Sequence, residues 1–273
     1  MKKVAQVEGL TLEQISKEFG ADLSHQTILN DIREIAAMPK FLRNPRSQGL
    51  DAEYIFRKTY FGNNLNDQDK RKTRFANALV NARPPLINLG SDSVVIGPGT
   101  TTLAVLHKLA SDYPGVQILT CNFGVILFPE IMMCDWVNLS GGWLRKSCGC
   151  LVGAAAVRGI LAFSANTAIV GVSGLSRDDR CQDVALYCHD EVQIPIKDAL
   201  VRNRKKIIVV TGAEKIGSVD AWEFGQVGKL EAALYLLTDA TPDKVQKEIE
   251  DVEDLSSWVK GEKDVHLYLK RRA

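Results

Sequence analysis

The sequence has almost no surplus of charge, no long apolar run and no closely paired cysteines. Its 34 Lys and Arg residues nearly balance 33 Asp and Glu residues, for a net charge of +1. That balance excludes a global electrostatic attraction to nucleic acid or membranes and leaves only local patches. The most apolar stretch, from Ile118 to Trp136, contains Asn122, Pro129 and Glu130, so it is not a membrane helix. The lysines near the start precede no apolar signal-peptide core, and we therefore predict a cytoplasmic protein without membrane contacts.

The cysteines exclude the usual zinc patterns, because none of the six forms a Cys-x-x-Cys pair with another. The alternative is a metal site built from Cys148, Cys150, Cys181, Cys188 and His189. We favour free reduced thiols, which are typical of cytoplasmic proteins. The sequence therefore predicts no metal and no cofactor.

The most informative stretch that is present reads VVIGPGTTTLAVLHKLA, residues 94–110. A β-branched run ends in Gly97-Pro98-Gly99, three threonines follow, and a helical pattern begins. One interpretation is an anion site, because the first N–H groups of a helix lack partners within it and glycine lets a phosphate approach the backbone. The other interpretation is a plain turn followed by a threonine N-cap.

Strand and helix patterns alternate after residue 71, which predicts an α/β domain with a mostly parallel sheet. The predicted strands are Val94–Ile96, Val116–Thr120, Trp136–Leu139, Ala168–Val172, Ile207–Val210, Leu234–Leu237 and Val265–Leu269. Small, polar or cationic residues follow most of them, among them Thr120, Ser173 and Lys215. Ligands of open parallel sheets bind beyond the carboxyl ends of the strands. The set as a whole therefore favours an anionic small ligand at that edge.

Residues 10–37 have the pattern of two short helices separated by a turn that contains Gly20. Leu12, Ile15 and Phe19 share one face of the first helix, and Ser24 is placed to cap the second. This pattern is typical of a DNA-binding helix-turn-helix, with an ordinary helical hairpin as the alternative. Prolines and glycines then interrupt any long element up to residue 70. We predict a helical module at 1–38, a linker at 39–70 and the α/β domain at 71–273.

Several spaced motifs in this sequence resemble the DeoR-type transcriptional regulators. Between residues 71 and 265, GTTT, GGWLRKSCGCLVG, AIVGVSGLS and EKIG follow one another in the family's order, and LTLEQISKEFG with LSHQTILNDIREI resembles the family's helix-turn-helix. The resemblance implies a Rossmann-like sensor domain similar to the ribose-phosphate isomerase and CoA-transferase fold. It further implies a repressor of sugar metabolism rather than an enzyme, with a phosphorylated sugar effector, a double-stranded DNA operator and a homodimer or homotetramer.

The resemblance and the strand-end pattern together predict a set of ligand-binding residues. They are Gly99, Thr100, Thr101, Thr102, Thr120, Asn122, Gly141, Gly142, Ser173 and Lys215. The sequence departs from the family at three points. Cys121 displaces the family's asparagine to Asn122, and Gly212 stands where an aspartate is common before the late lysine. Leu29 and Asn30 stand where the recognition helix has two arginines.

The predicted DNA contacts lie in the second helix of the N-terminal module. They are Ser24, His25, Gln26, Thr27, Asn30 and Arg33, of which the two amides are the candidate readers of adenine. Residues 1–37 carry four basic against six acidic residues, whereas residues 38–74 carry nine basic against four acidic. Phosphate neutralisation supplies most non-specific DNA affinity. The basic linker is therefore either a source of phosphate contacts or a solvated tether.

Two other functions stay open at this point. One is a sugar-phosphate isomerase-like enzyme, whose general base would come from Asp178, Asp179, His189, Asp190 or Glu191. Acidic residues are also common at helix starts because of the helix dipole. The other is a ligand sensor that has lost DNA binding, which the short segment before Leu10 and the Leu29-Asn30 pair favour.

Overall fold

The computed structural model of the chain describes residues 69–88, 92–128, 131, 134, 136–178, 183–259, 261–262 and 264–271. The predicted helix-turn-helix and nearly all of the predicted linker lie outside these residues. So do all six predicted DNA contacts, which are Ser24, His25, Gln26, Thr27, Asn30 and Arg33. Among the catalytic and metal alternatives, Asp179 and Cys181 lie outside them as well.

The described part of the chain alternates strands with helices. Its strands are β1 (Ser93–Ile96), β2 (Gln117–Thr120), β3 (Val137–Leu139), β4 (Trp143–Arg145), β5 (Cys150–Val152), β6 (Thr167–Val170), β7 (Gly174–Asp178), β8 (Asp183–Cys188), β9 (Lys206–Val210), β10 (Trp222–Gln226), β11 (Ala233–Thr238), β12 (Glu253–Asp254) and β13 (His266–Lys270). Its α-helices are α1 (Asp69–Val80), α2 (Thr100–Asp112), α3 (Ala154–Ala162), α4 (Ile194–Val201) and α5 (Pro242–Glu248). Among these helices none is long and apolar enough to cross a membrane.

The central sheet has eight strands in the order β12-β13-β11-β9-β6-β1-β2-β3. The six strands from β11 to β3 are parallel, while β13 and β12 are added antiparallel at one edge. The prediction of a mixed α/β domain with a mainly parallel sheet is thus confirmed. The predicted strand Val265–Leu269 exists as β13, but it runs against its neighbour β11.

Buried aliphatic residues explain why these segments form a central sheet. β1, β6 and β9 are apolar runs that are buried on both faces, as is usual for parallel strands covered by helices. On one face Val95, Ala168 and Ile207 join a core that includes Ile160 of α3 and Leu200 of α4. Helix α1 packs on α2 and contacts β11.

Two smaller sheets were not predicted from the sequence. β7, β8 and β10 form a three-stranded antiparallel sheet, and β4 pairs with β5 as a hairpin. β8 is buried along nearly its whole length and shows no alternation of apolar and polar residues. β7 begins at Gly174, in a Ser-Gly pair that is also a turn signal, and β10 has a register shift between Glu223 and Gly225. Each segment therefore lacks the period-two pattern that identifies a strand.

The strand order reverses at β1, which creates a crevice. From β1 the chain continues through α2 to β2 and β3 on one side, and later crosses to β6 on the other side before it continues to β9 and β11. The connections that leave the carboxyl ends of β1 and β6 therefore diverge. In open α/β sheets a ligand crevice lies at such a point.

Candidate functional site

The turn after β1 presents backbone N–H groups at the start of α2. Gly99 adopts φ 128°, a conformation that favours glycine, and immediately precedes the helix. The first backbone hydrogen bond of the helix runs from the Leu103 N–H to the Gly99 carbonyl at 3.1 Å. The N–H groups of residues 100–102 come before that bond and carry the positive end of the helix dipole. This geometry suits an anion.

Three buried side chains hold this turn from behind. The Thr120 hydroxyl donates to the Ile96 carbonyl at 2.7 Å, and the Asn122 amide donates to the Gly99 carbonyl at 2.8 Å. The Thr102 hydroxyl donates to the carbonyls of Gly97 and Gly99, at 2.8 and 3.0 Å. These bonds satisfy the carbonyls of the turn and hold in place residues 99–102, which line the cleft described next.

A cleft of about 580 Å³ opens at the carboxyl ends of the strands. Its walls come from the β1–α2 turn, from Gly171 to Ser173 after β6, from residues 188–193 after β8 and from the segment after β9. Helix α1 and the β4–β5 hairpin contribute the side chains of Arg71, Lys72, Phe75, Arg145 and Cys148. The size of the cleft is in the range of small-molecule sites.

Lys197 of α4 places a buried ammonium in the wall of the cleft. Its side chain is 3% exposed, its Nζ donates to the Gly171 carbonyl, and it lies 4.9 Å from the centre of the Phe224 ring. Within the described residues it forms no ion pair. Burial lowers the pKa of Lys197 to about 8. The site therefore contains a desolvated cation that lacks a carboxylate to neutralise it, and that arrangement is unfavourable until an anion binds.

Arg71 and Lys215 bring two more cations to the same end of the cleft. The Arg71 guanidinium pairs with both oxygens of Asp239: Nε lies 2.6 Å from Oδ2, and Nη2 lies 2.7 Å from Oδ1. Its Nη2 also contacts Glu214 Oε2 at 2.6 Å. Burial alone would lower the pKa of Arg71, but the bonds to Asp239 and Glu214 raise it. Burial lowers the pKa of Lys215, against the opposing effect of Glu214 beside it.

Acidic residues also line the cleft, and several of them are paired with basic side chains. Arg145 donates to Asp190 at 3.1 Å, and His189 lies 3.5 Å from Asp220. Burial would raise the pKa of Asp220, but hydrogen bonds from Ser173 and the Ala221 N–H hold it below its ordinary value. Glu191 lines the cleft beside Asp190. Carboxylates accept hydrogen bonds from hydroxyl groups, so the cleft offers hydrogen-bond acceptors as well as cations.

Four thiols surround the floor of the cleft near Lys197. Cys121, Cys148, Cys150 and Cys188 are free, and Cys148 contacts Cys150, which in turn contacts Cys121. Contact with Cys150 and burial raise the pKa of the Cys148 thiol. Thiols that stay protonated are weak nucleophiles and poor metal ligands. Among the described residues no cluster of His, Cys, Asp and Glu has the geometry to hold a metal ion.

A comparison with protein families identifies this domain. The model of the DeoR C terminal sensor domain matches residues 70–240, which is more than half of the 273-residue chain. The chain belongs to the DeoR family. The resemblance drawn from the spaced motifs is thus confirmed, and the matched DeoR-type segment contains every element that lines the cleft.

Two curated relatives extend the similarity of this DeoR-type chain beyond the sensor domain. They are the glycerol-3-phosphate regulon repressors of Escherichia coli (strain K12) and of Shigella flexneri. Each is 26% identical to the chain over 233 residues, which covers 85% of the chain and 85% of the relative.

The DeoR-type cleft brings together six of the ten residues predicted to bind a ligand. Gly99, Thr100, Thr101, Thr102, Ser173 and Lys215 line it. Thr120 and Asn122 lie behind the turn and support it through the bonds above. Gly141 and Gly142 lie outside the cleft at the start of β4, with φ 75° and 103°, and a Cβ on Gly142 would overlap the Val152 carbonyl oxygen. Ligand binding by all ten stays a prediction.

The DeoR-type sequence motifs did not predict Arg71, Arg145, Gln193 or Lys197 as cleft residues. A signal exists for Lys197, because a lone lysine in the apolar helix IPIKDALV is unusual. No such signal exists for Arg71, which enters the cleft only because α1 packs across the strand ends. Arg145 reaches it through the β4–β5 hairpin, which was itself not predicted.

Proposed function

We propose that the chain is a DNA-binding repressor of sugar metabolism whose DNA affinity is controlled by a phosphorylated sugar bound in the strand-end cleft. The family assignment and the naming of both relatives as glycerol-3-phosphate regulon repressors support this proposal. The strand order, with its reversal at β1, supports a Rossmann-like sensor similar to the ribose-phosphate isomerase and CoA-transferase fold.

The observation that carries the proposal is the meeting of Lys197 with the start of α2 in one cleft. A buried ammonium without a carboxylate partner in the described structure favours an anionic ligand. The free N–H groups at residues 100–102 supply hydrogen bonds for the same anion, and Lys215 adds a second cation. A phosphate dianion meets all three requirements, because it accepts several hydrogen bonds and carries close to two charges.

The acidic residues of the cleft favour an organic phosphate with several hydroxyl groups over one without them. Asp190 and Glu191 provide acceptors for hydroxyl groups elsewhere in the cleft. With the phosphate at Thr100 and Lys197, the sugar hydroxyls extend toward these carboxylates. Unphosphorylated sugars lack the group that neutralises Lys197, so we expect them to bind far more weakly.

DNA binding rests on the sequence and on the relatives. In this proposal residues 1–38 are the helix-turn-helix module, 39–70 the basic linker and 71–273 the sensor domain. Gln26 and Asn30 read bases, and the other predicted contacts hold the backbone. A homodimer or homotetramer presents two such modules to a symmetric operator.

Isomerase-like catalysis is the less favoured alternative. Asp190, a candidate base, is held by Arg145 and lies near Ser147, with Nε and Oγ at 3.1 and 3.5 Å from its Oδ2. A base that has to accept a substrate proton needs a free carboxylate oxygen aimed at the substrate. The contacts of Asp190 instead tie the β4–β5 hairpin to the loop after β8.

The test of this function is a ligand screen followed by DNA binding. Thermal unfolding of the full chain is measured with phosphorylated and unphosphorylated three- to six-carbon sugars and polyols, including sn-glycerol 3-phosphate. A ligand at 100 times its dissociation constant adds roughly 2.7 kcal/mol to the free energy of unfolding. We expect a shift only with phosphorylated compounds, and the same compound should change the affinity for a DNA fragment from the protein's own promoter region. Equal shifts with glycerol and sn-glycerol 3-phosphate would rule out the phosphate site.

A further inference from the structure

Arg71 is the cleft residue closest in sequence to the N-terminal module. It lies in the first turn of α1, which begins at Asp69, within the last two residues of the predicted linker. The rest of the helix is anchored in the core, because Phe75, Ala76 and Leu79 are buried. The Arg71 guanidinium carbon also lies 5.7 Å from the centre of the Phe75 ring. The Arg71 side chain therefore connects the first turn of α1 to the groups that the guanidinium binds in the cleft.

The two carboxylates that hold Arg71 differ in how firmly they are placed. Asp239 follows β11, is about one-fifth exposed, binds Arg71 through both of its oxygens and accepts the Ala213 N–H at 2.7 Å. Glu214 is 56% exposed, and its contact with Arg71 is a single oxygen at 2.6 Å. Asp239 is therefore a fixed anchor, whereas the Glu214 side chain can leave with little loss, as is usual for exposed ion pairs.

Glu214 also lies where an anionic ligand would meet it. It lines the cleft next to Lys215, and both belong to one short turn, Ala213–Lys215. A phosphate drawn to Lys215 and Lys197 would bring two negative charges toward the Glu214 carboxylate, and like charges repel. The same phosphate would offer the Arg71 guanidinium a stronger acceptor than one carboxylate oxygen.

Gly212 leaves open the space that the Arg71 guanidinium occupies. A Cβ at residue 212 would overlap both Arg71 Nη2 and Glu214 Oε2, so the ion pair lies directly against the backbone there. Gly212 has φ −81° and ψ 156°, an extended conformation that alanine adopts without strain. Replacing Gly212 by alanine therefore displaces the guanidinium together with the Glu214 carboxylate, without changing any charge.

The geometry points to Arg71 as the effector-sensing residue of α1, with Glu214 as a carboxylate that the effector replaces. In the unliganded state Arg71 bridges Asp239 and Glu214. When a phosphorylated ligand binds, its anionic group takes the place of Glu214 at the guanidinium while Asp239 keeps its hold. The exchange shifts the first turn of α1 and, through it, the segment that leads to the DNA-binding module. This inference rests on the proposed function.

The test compares Glu214→Gln and Gly212→Ala in the full chain, with Glu250→Gln as the matched control. Glu250 pairs with Arg177 on the surface outside the cleft, so its variant breaks an exposed Arg–Glu pair of the same kind. The probe is sn-glycerol 3-phosphate or, if it gives the larger thermal shift with wild type, fructose 6-phosphate. Calorimetry measures probe affinity, and fluorescence anisotropy measures the release of the promoter fragment.

We expect opposite effects from the two variants. Glu214→Gln removes the competing charge, so probe affinity should rise about fivefold and DNA release should need correspondingly less probe. Gly212→Ala should lower probe affinity by roughly tenfold and weaken the response of DNA binding to the probe. A merely structural ion pair would make both variants weaker binders. If wild type binds the probe but the two variants do not change its affinity in opposite directions, this inference is wrong and the proposed function stands; if wild type binds none of the phosphorylated compounds in the thermal screen, both are overturned.

Discussion

At the scale of single residues, Lys197 lines the cleft at a cost to the free energy of unfolding. An apolar side chain at that position would pack in the core of α4 without a desolvation cost. The lowered pKa of Lys197, about 8, means that folding disfavours its charged form. This cost is fully present below pH 8 and disappears as the pH rises toward the ordinary lysine pKa. Residues with a strongly shifted pKa cluster at functional sites, where the charge contributes to ligand binding.

Replacement of Lys197 by methionine should therefore stabilise the protein and weaken effector binding. Methionine fills a similar volume without a charge, and we expect the free energy of unfolding to rise by about 1–3 kcal/mol at pH 7. Affinity for the phosphorylated sugar should fall by at least tenfold. Urea unfolding and calorimetry measure the two effects. Lys108→Met, which removes an exposed lysine paired with Asp112, is the control and should change both quantities little. A destabilised Lys197→Met variant that binds effector normally would contradict this reading.

The same residue predicts how effector affinity depends on pH. The ammonium of Lys197 faces the thiols of Cys188, Cys150 and Cys121 and the cation Lys215. A phosphate monoester is already a dianion above about pH 6, so loss of the lysine proton dominates between pH 7 and 9. Affinity should fall by roughly tenfold over that range, because deprotonation removes the binding charge. Calorimetry across pH should show this fall in the wild type and a smaller fall in Lys197→Met, which retains Lys215; a rise of affinity with pH would exclude the assignment.

At the scale of elements, the sequence predicted the parts whose structure depends on local chemistry. The Gly-Pro-Gly turn, a helix after it and the β-branched strands β1, β6 and β9 all followed from residue type and spacing, although α2 begins at Thr100, before the point where the apolar pattern starts. Asn122 illustrates what local chemistry could not reveal. It was predicted as a ligand residue, yet its amide spans from the 3₁₀ helix after β2 to the Gly99 carbonyl. Which carbonyl a side chain reaches depends on the packing of neighbouring strands, and that is a property of the tertiary structure.

Asn122→Ala should weaken the turn before α2. The variant loses the bond to the Gly99 carbonyl and the cap in which Asn122 accepts the Gly124 N–H at 3.0 Å. We expect the free energy of unfolding to fall by about 1–3 kcal/mol. Effector affinity should fall as well, because the N–H groups of α2 are no longer held in place. Asn138→Ala is the control. Asn138 lies on the exposed strand β3, and its amide makes a weak contact, at 3.5 Å, with the Ile118 carbonyl of β2. Equal melting temperatures for the two variants would show that the bond to Gly99 contributes nothing.

The same limit explains which cleft residues stayed hidden. Arg71, Arg145 and Lys197 come from three elements that are far apart in sequence, and only the strand order brings them to one edge. The turns at strand ends have a pattern of their own in the sequence. Side chains that reach the cleft from a covering helix or from a hairpin do not.

At the scale of the whole molecule, the sequence predicts that the linker carries much of the non-specific DNA affinity. Residues 1–37 have more acidic than basic residues, while residues 38–74 are strongly basic. Replacing Arg43, Arg46 and Lys58 by glutamine should flatten the slope of log K against log salt by roughly 2.7, from about 0.9 per phosphate contact. Salt titrations with the promoter fragment measure this slope.

Gln26→Ala provides the matching control for the linker variant. A base contact releases few counterions, so this variant should lose about 1–3 kcal/mol of affinity for the cognate site with an almost unchanged salt slope. A linker variant that keeps the full slope would mean that the linker is only a tether. The helices would then have to supply the phosphate contacts despite their acidic balance.

The central claim is that a phosphate bound at the start of α2 controls DNA binding by the whole chain. The most direct measurement is fluorescence anisotropy of the promoter fragment with wild type and Thr101→Val, titrated with the phosphorylated sugar from the thermal screen and with its unphosphorylated counterpart. Thr101→Val keeps the shape of the side chain but removes a hydroxyl that lines the cleft. We predict that only the phosphorylated sugar changes DNA affinity, and that Thr101→Val needs roughly tenfold more of it, as expected for one lost bond to a charged group. An equal response to both sugars, or no response in a wild type that binds the fragment, would contradict the account.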